Sequence, residues 1–143
     1  MSETFADLLD ESISSLEMQP GSIVSGVVLD IDKTLTLGDT KDYTKVRPNL
    51  DVVDKLKEYQ SDGFRIILYS ARNMRTYNNN IGGINANTIP QLIDWLNKHN
   101  IPFDEIFMGK PWCGNQGFYV DDKCIRPDEF IKYSYEEIME IIS

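Results

Sequence analysis

The stretch VVLDIDKTLT, Val27 to Thr36, decides how the rest of the chain is read. Together with Ile23 and Val24 it opens as an apolar, β-rich run, which predicts a strand buried on both faces over 23–29. It then closes on Asp30 and Asp32, two positions apart. That ending raises a question of chemistry: why would a buried strand finish on two carboxylates?

Working outward, FRIILYS (64–70), FDEIFM (103–108) and GFYV (117–120) read as three further strands. Between them lie helical patterns. Leu50, Val53, Leu56 and Tyr59 form an apolar face after Pro48, which suits a helix start, and Gly63 stops it. Thr88 and Gln91 have capping-box spacing and open a helix through Leu92, Trp95 and Leu96 to about His99. Pro127 starts another helix, and Ser134 with Glu137 repeats the capping-box spacing before Ile138. LGDTKDYTKVR (37–47) reads as a short hairpin or flap. ARNMRTYNNNIGGINAN (71–87), rich in Asn and Gly, reads as the longest loop. Phe5, Leu8, Leu9, Ile13 and Leu16 recur at helical spacing, so residues 1–22 read as an amphipathic helical extension ahead of a domain over 23–143.

Strands alternating with helices predict an α/β fold, three-layered and Rossmann-like, on a mostly parallel sheet. Such sheets bind ligands beyond the carboxyl ends of their strands. Asp30 and Asp32, Ser70, and Asp121 with Asp122 all fall at strand ends, and Lys110 falls just after one. These polar groups are expected to converge on one rim.

The 143 residues suffice for one domain with a core. The net charge of −9 sits at the ends: residues 1–22 carry five acids and no base, residues 128–143 five acids and one Lys. The stretch between is neutral, which argues against broad nonspecific binding to nucleic acid. No apolar run approaches the roughly 20 residues needed to span a membrane. The acidic start has no basic n-region, so the expected compartment is the cytoplasm. Cys113 and Cys124 make no disulfide framework and read as buried or idle reduced thiols.

DIDKT after a hydrophobic strand, Ser70 closing the next, Lys110 in GKP and VDD after another strand resemble, in order, the four motifs of the haloacid dehalogenase (HAD) superfamily of phosphotransferases. VRPNLDVVDKLKEY, GKPWCGNQGFYVDDK and RPDEF further resemble a small capless subgroup commonly labelled capsule or polysaccharide biosynthesis phosphatases. The resemblance implies a fold without a cap domain and a Mg²⁺-dependent phosphomonoesterase. Asp30 would be the nucleophile, forming an aspartyl-phosphate, and Asp32 the acid and then the base. Ser70, the Ala71 backbone N–H and Lys110 would bind the phosphoryl oxygens, and Thr34 would brace the loop. Mg²⁺ would be held by Asp30, the Asp32 carbonyl and Asp121, with Asp122 as a further ligand or as the holder of a metal-bound water. An aspartate at position 32 resembles phosphatases and phosphomutases, and without a cap hydrolysis is expected. Lys33 departs from the glycine usual there.

Arg72 is a candidate for binding substrate, Arg75 reads more simply as a solvated loop charge, Trp112 either stacks on a ligand or packs under its own loop, and His99 reads as structural. The expected partner is a small phosphorylated substrate such as a sugar phosphate, with a lean towards a homo-oligomer. Three other functions carry distinct expectations. A nucleic-acid end (3′-) phosphatase would use Lys33, Lys41, Lys45, Arg47, Arg72 and Arg75 as a basic track. A receiver-like protein uses similar groups, but with the acidic pair first and the Lys last, unlike the order here. A non-catalytic binding protein would show no turnover.

Overall fold

The computed structural model describes residues 25–39 and 41–143. The predicted helix over 3–18 therefore lies outside the described residues. The elements run β1 (Gly26–Asp30), β2 (Thr36–Leu37), β3 (Arg47–Pro48), α1 (Leu50–Ser61), β4 (Arg65–Ser70), α2 (Ile81–Lys98), β5 (Glu105–Met108), α3 (Pro127–Lys132) and α4 (Tyr135–Ile142). The fold is mixed α/β, built on a three-stranded parallel sheet in the order β1-β4-β5. The flap is a two-stranded antiparallel hairpin, with Thr36 opposite Pro48 and Leu37 opposite Arg47.

Local chemistry explains where the helices begin. Asn49, and not Pro48, caps α1: its side chain accepts the Val52 N–H. At the other end Gly63 takes φ 93°, a left-handed turn that glycine adopts without strain. Helix α2 starts seven residues before the expected Thr88, because Asn80 caps it by accepting the Gly83 N–H at 3.1 Å. Ile84, fully buried, anchors this added length, so packing overrides the turn propensity of IGGINAN. Thr88 instead donates its hydroxyl to the Asn73 side chain at 2.9 Å. Pro127 opens α3, and the reciprocal Ser134–Glu137 box opens α4, as the spacing predicts.

One face of the sheet holds the core. Val27, Leu29, Ile66, Leu68, Ile106 and Met108 share that face, and they pack with Val52, Val53 and Leu56 of α1 and Leu92, Trp95 and Leu96 of α2. Right-handed crossovers that step in one direction, β1 to β4 to β5, put both helices on the same side. Helices α3 and α4 extend this layer: Tyr59 of α1 stacks on Phe130 at 5.5 Å, and Phe64 meets Tyr135 at 5.4 Å. The opposite face carries Val28, 61% exposed, and Phe107, 52% exposed.

Two expectations are corrected here. Strand β1 is not buried on both faces, and among the described residues the third layer is not present. The reason is that GFYV forms no strand: residues 117–120 pair with nothing, so no element lies beyond β1 to carry helices across the bare face. Both cysteines are exposed rather than buried. No helix among the described residues is long and apolar enough to cross a membrane.

Candidate active site

The carboxyl ends of the three strands meet at a cavity of about 360 Å³. Asp30 reaches it as the last residue of β1. Ile31, fully buried, pins the chain just beyond, and its carbonyl accepts the N–H groups of Thr34, Leu35 and Thr36. This tight turn brings Asp32 back to the same cavity. Lys33 sits within the turn at φ 62°, a left-handed conformation, and its N–H donates to Thr36 Oγ1 at 3.0 Å. A glycine would hold that conformation with less strain. The Lys33 ammonium points to Asp39 in an exposed pair at 3.0 Å.

Ser70 ends β4 and is fully buried. Its hydroxyl oxygen accepts the Arg72 N–H at 2.9 Å, and its carbonyl accepts the Lys110 N–H at 3.0 Å. Thus β4 fixes both neighbouring loops. Lys110 follows Gly109, whose φ of 91° makes the turn; a Cβ there would lie 2.7 Å from Ile81 Cδ1. The Lys110 ammonium stands 3.4 Å from Asp30 Oδ1, a half-buried ion pair. Burial pushes the Asp30 carboxyl above its ordinary value, Lys110 offsets part of this, and the nearby Asp32 charge adds to the rise.

Asp32 is gripped by Arg72. The guanidinium donates from Nη2 at 2.7 Å and from Nε at 3.2 Å to Asp32 Oδ1, and the arginine side chain is 2% exposed. Its other side lies against the Tyr43 ring, 4.0 Å from the centroid. Two more cation–aromatic pairs line the cavity: Arg75 with Trp112 at 5.0 Å, and Lys110 with Tyr119 at 4.4 Å. Ala71, Asn73, Thr76 and Cys113 complete the wall.

Of the residues singled out from sequence, Asp30, Asp32, Ala71, Arg72 and Lys110 come together at this cavity. Ser70 lies just beneath it, and Thr34 takes part in the turn without lining it. Asp121 and Asp122 do not join them. Both are exposed, and the Lys123 N–H, followed by Asp122, holds the Asp121 carboxyl below its ordinary value. Among the described residues no three His, Cys, Asp or Glu side chains are gathered as a metal site needs. The ligand set expected for Mg²⁺ is therefore not assembled within one copy. Trp112 is 45% exposed at the mouth, and His99 packs on Trp95 at 4.9 Å. Tyr43 was not foreseen from sequence. The available signal is that it is the one aromatic residue in the polar stretch 37–47.

The fold has a close counterpart. A Vibrio cholerae protein of known crystal structure matches with a TM-score of 0.82 and 49% sequence identity, over 83% of this chain and 97% of that one. The chain belongs to the same family as this protein. Other similarities are narrower. The Pnkp1/Rnl/Hen1 complex matches at 24% identity and TM-score 0.48, over 80% of this chain and 36% of that one. The Pnkp1/Rnl/Hen1 RNA repair complex matches at 22% and 0.46, over 80% and 33%. A stretch of 32 residues is 62% identical to the small ribosomal subunit protein bS1 of Pseudomonas aeruginosa, covering 22% of this chain but only 6% of that protein's length. No family model matches the sequence.

Proposed function

We propose that the chain is a phosphomonoesterase of the HAD type, acting on a small phosphorylated metabolite such as a sugar phosphate. The observation that carries this is the pairing of Asp30 with Lys110 beside Asp32 held by Arg72, all opening on one cavity at the strand ends. Within one copy the acidic set implied for Mg²⁺ is incomplete, so the steps below use only the chain's own groups.

The Asp30 carboxylate attacks phosphorus in line, and the bond from phosphorus to the leaving oxygen breaks. Partial burial strips water from this nucleophile, and Lys110 balances its charge and that of the incoming phosphoryl group. The leaving oxygen takes a proton from Asp32. In the second step Asp32 takes a proton from water, the water oxygen attacks phosphorus, and the bond to Asp30 breaks, releasing phosphate. The Ser70 hydroxyl still has its proton to donate, and the Ala71 backbone lies at the wall. Arg72 has a double use. Its fork matches phosphoryl oxygens as well as a carboxylate, so an arriving phosphate competes with Asp32 for it and frees Asp32 to exchange protons.

The test is turnover of a phosphomonoester panel with Mg²⁺, run beside Asp30→Asn. The panel contains sugar phosphates, nucleotides and a 3′-phosphorylated oligonucleotide. Release of phosphate that disappears in the variant is expected, with a sugar phosphate as the best substrate. Turnover that survives in Asp30→Asn would rule out the aspartyl-phosphate route, and an oligonucleotide as best substrate would replace the metabolite with a nucleic-acid end.

A further inference from the structure

The cavity is lined by three cations, Arg72, Arg75 and Lys110, and by two carboxylates, Asp30 and Asp32. Two of the cations are taken: Lys110 stands 3.4 Å from Asp30, and Arg72 2.7 Å from Asp32. Arg75 is the one left over. It is exposed, and among the described residues no carboxylate and no hydrogen bond takes up its guanidinium. The chain has a net charge of −9, so acids are plentiful, yet none of the described ones is placed there. The guanidinium lies instead over the Trp112 ring, 5.0 Å from the centroid. An aromatic face attracts a cation without occupying its N–H groups, so the donor edge is kept for something else.

The backbone fixes where this arginine stands. Beyond Ser70 the chain turns on itself: the Ala71 carbonyl accepts the Met74 N–H at 3.1 Å, the Met74 carbonyl accepts the Asn79 N–H at 2.8 Å, and the Met74 side chain is buried. Asn73 ties the turn to α2 by accepting the Thr88 hydroxyl at 2.9 Å, and its Nδ2 donates to Thr76 Oγ1 at 3.2 Å. The Thr76 hydroxyl therefore keeps its own proton to donate, at the wall that Arg75 also lines. Arg75 and Thr76 make a second donor station in the cavity, formed by groups other than those that serve the phosphoryl end. The cavity's 360 Å³ falls within the range of about 300–1,000 Å³ usual for whole small molecules, more than a phosphoryl group alone requires.

We propose that Arg75, steadied by Trp112 and joined by Thr76, binds a second anionic group of the substrate. The substrate is then a phosphomonoester that carries a carboxylate or another phosphate away from the reacting phosphoryl group. A guanidinium fork meets either anion with two parallel N–H bonds. A neutral sugar phosphate fills one station and leaves Arg75 to water, whereas a doubly anionic one fills both. Placing the reacting phosphoryl group at Lys110 and Arg72 rests on the phosphatase function; the anion at Arg75 does not.

Calorimetric titration of the full chain in metal-free buffer tests this with two matched pairs. They are 3-phosphoglycerate beside glycerol 3-phosphate, and fructose 1,6-bisphosphate beside fructose 6-phosphate. In at least one pair the member with the second anion is expected to bind roughly tenfold more tightly, and Arg75→Gln is expected to bring that pair within about twofold. The responding pair tells a carboxylate from a phosphate. Arg75→Gln breaks no hydrogen bond or ion pair among the described residues, so its circular dichroism should match wild type. Arg75→Lys should keep part of the preference. Lys41→Gln removes the same charge from a residue that does not line the cavity, and should keep all of it. Equal binding within both pairs, no binding at all, or a preference that survives Arg75→Gln overturns the proposal. With Mg²⁺ the same preference is expected in kcat/KM. If no phosphomonoester is turned over, the phosphatase function fails, and the titrations still decide what Arg75 binds.

Discussion

The chain places an aspartate after two similar apolar runs, VVL before Asp30 and FYV before Asp121, and builds them into opposite surroundings. The first run lies in the sheet, with Leu29 against α1 and α2, and burial pushes the Asp30 carboxyl up while Lys110 draws it back. The second run has no ladder, and backbone hydrogen bonding in its own turn holds Asp121 down. Reactivity thus comes from what the fold packs around a carboxylate, not from the run that precedes it. A buried carboxylate beside an ammonium is tuned; an exposed one capped by its own turn is quiet until something else approaches.

The largest expected effect breaks this contrast at its chemical end. Asp30→Asn should lower phosphate release by at least about a thousandfold, since the nucleophile is lost, whereas its melting temperature should hold or rise. Steady-state kinetics and calorimetry on the same sample separate the two. Next comes packing. Leu29→Ala removes a buried side chain and should cost about 2–5 kcal/mol in urea unfolding. Val120→Ala, measured in dilute protein, should stay within about 0.5 kcal/mol of wild type.

A smaller effect is expected from Arg72→Lys. It keeps the charge but loses the fork that holds Asp32 in the free enzyme and meets the arriving phosphate, so kcat/KM should fall by roughly tenfold, about 1.4 kcal/mol of barrier. An unchanged kcat/KM would show that the site needs no such fork. The smallest effect is a difference of sign with pH. The folded protein holds the Asp30 proton more tightly than the unfolded chain, so ionised Asp30 costs stability above its ordinary value of 3.8. Asp30→Asn should then gain in melting temperature as pH rises above that value, in metal-free buffer. Asp121 is shifted the other way, so its contribution is present above 3.8 and lost as pH falls through its depressed value. Asp121→Asn should therefore lose melting temperature at neutral pH and lose nothing in acid. Parallel curves for the two variants would remove the contrast.

Much of the scaffold was legible because its signals are local. The apolar runs of β1, β4 and β5, the Pro127 start and the Ser134–Glu137 box each act within a few residues. The start of α2 was not legible, because IGGINAN has turn propensity and is held helical by the Asn80 cap and the burial of Ile84. The unpaired GFYV was not legible either: its pattern is that of a strand whether or not an edge receives it. At the site, the side chains at strand ends converge because parallel strands share one direction. The Asp32–Arg72 grip joins residues 40 positions apart, and the ring of Tyr43 reaches the cavity from the hairpin. Neither contact leaves a periodic trace in the sequence.

The two tryptophans give the molecule a built-in optical readout. Trp95 is 3% exposed and donates its indole N–H to the Val46 carbonyl at 2.9 Å, so its emission is blue-shifted while the hairpin stays docked on α2 and red-shifts on unfolding. Trp112 stands at the cavity mouth beside the Arg75 guanidinium, where an arriving anion that draws Arg75 away changes its quenching. Intrinsic fluorescence should therefore carry one contribution from Trp95 that follows the core and one from Trp112 that follows occupancy. A single cuvette titration can tell a ligand that binds from a condition that loosens the fold.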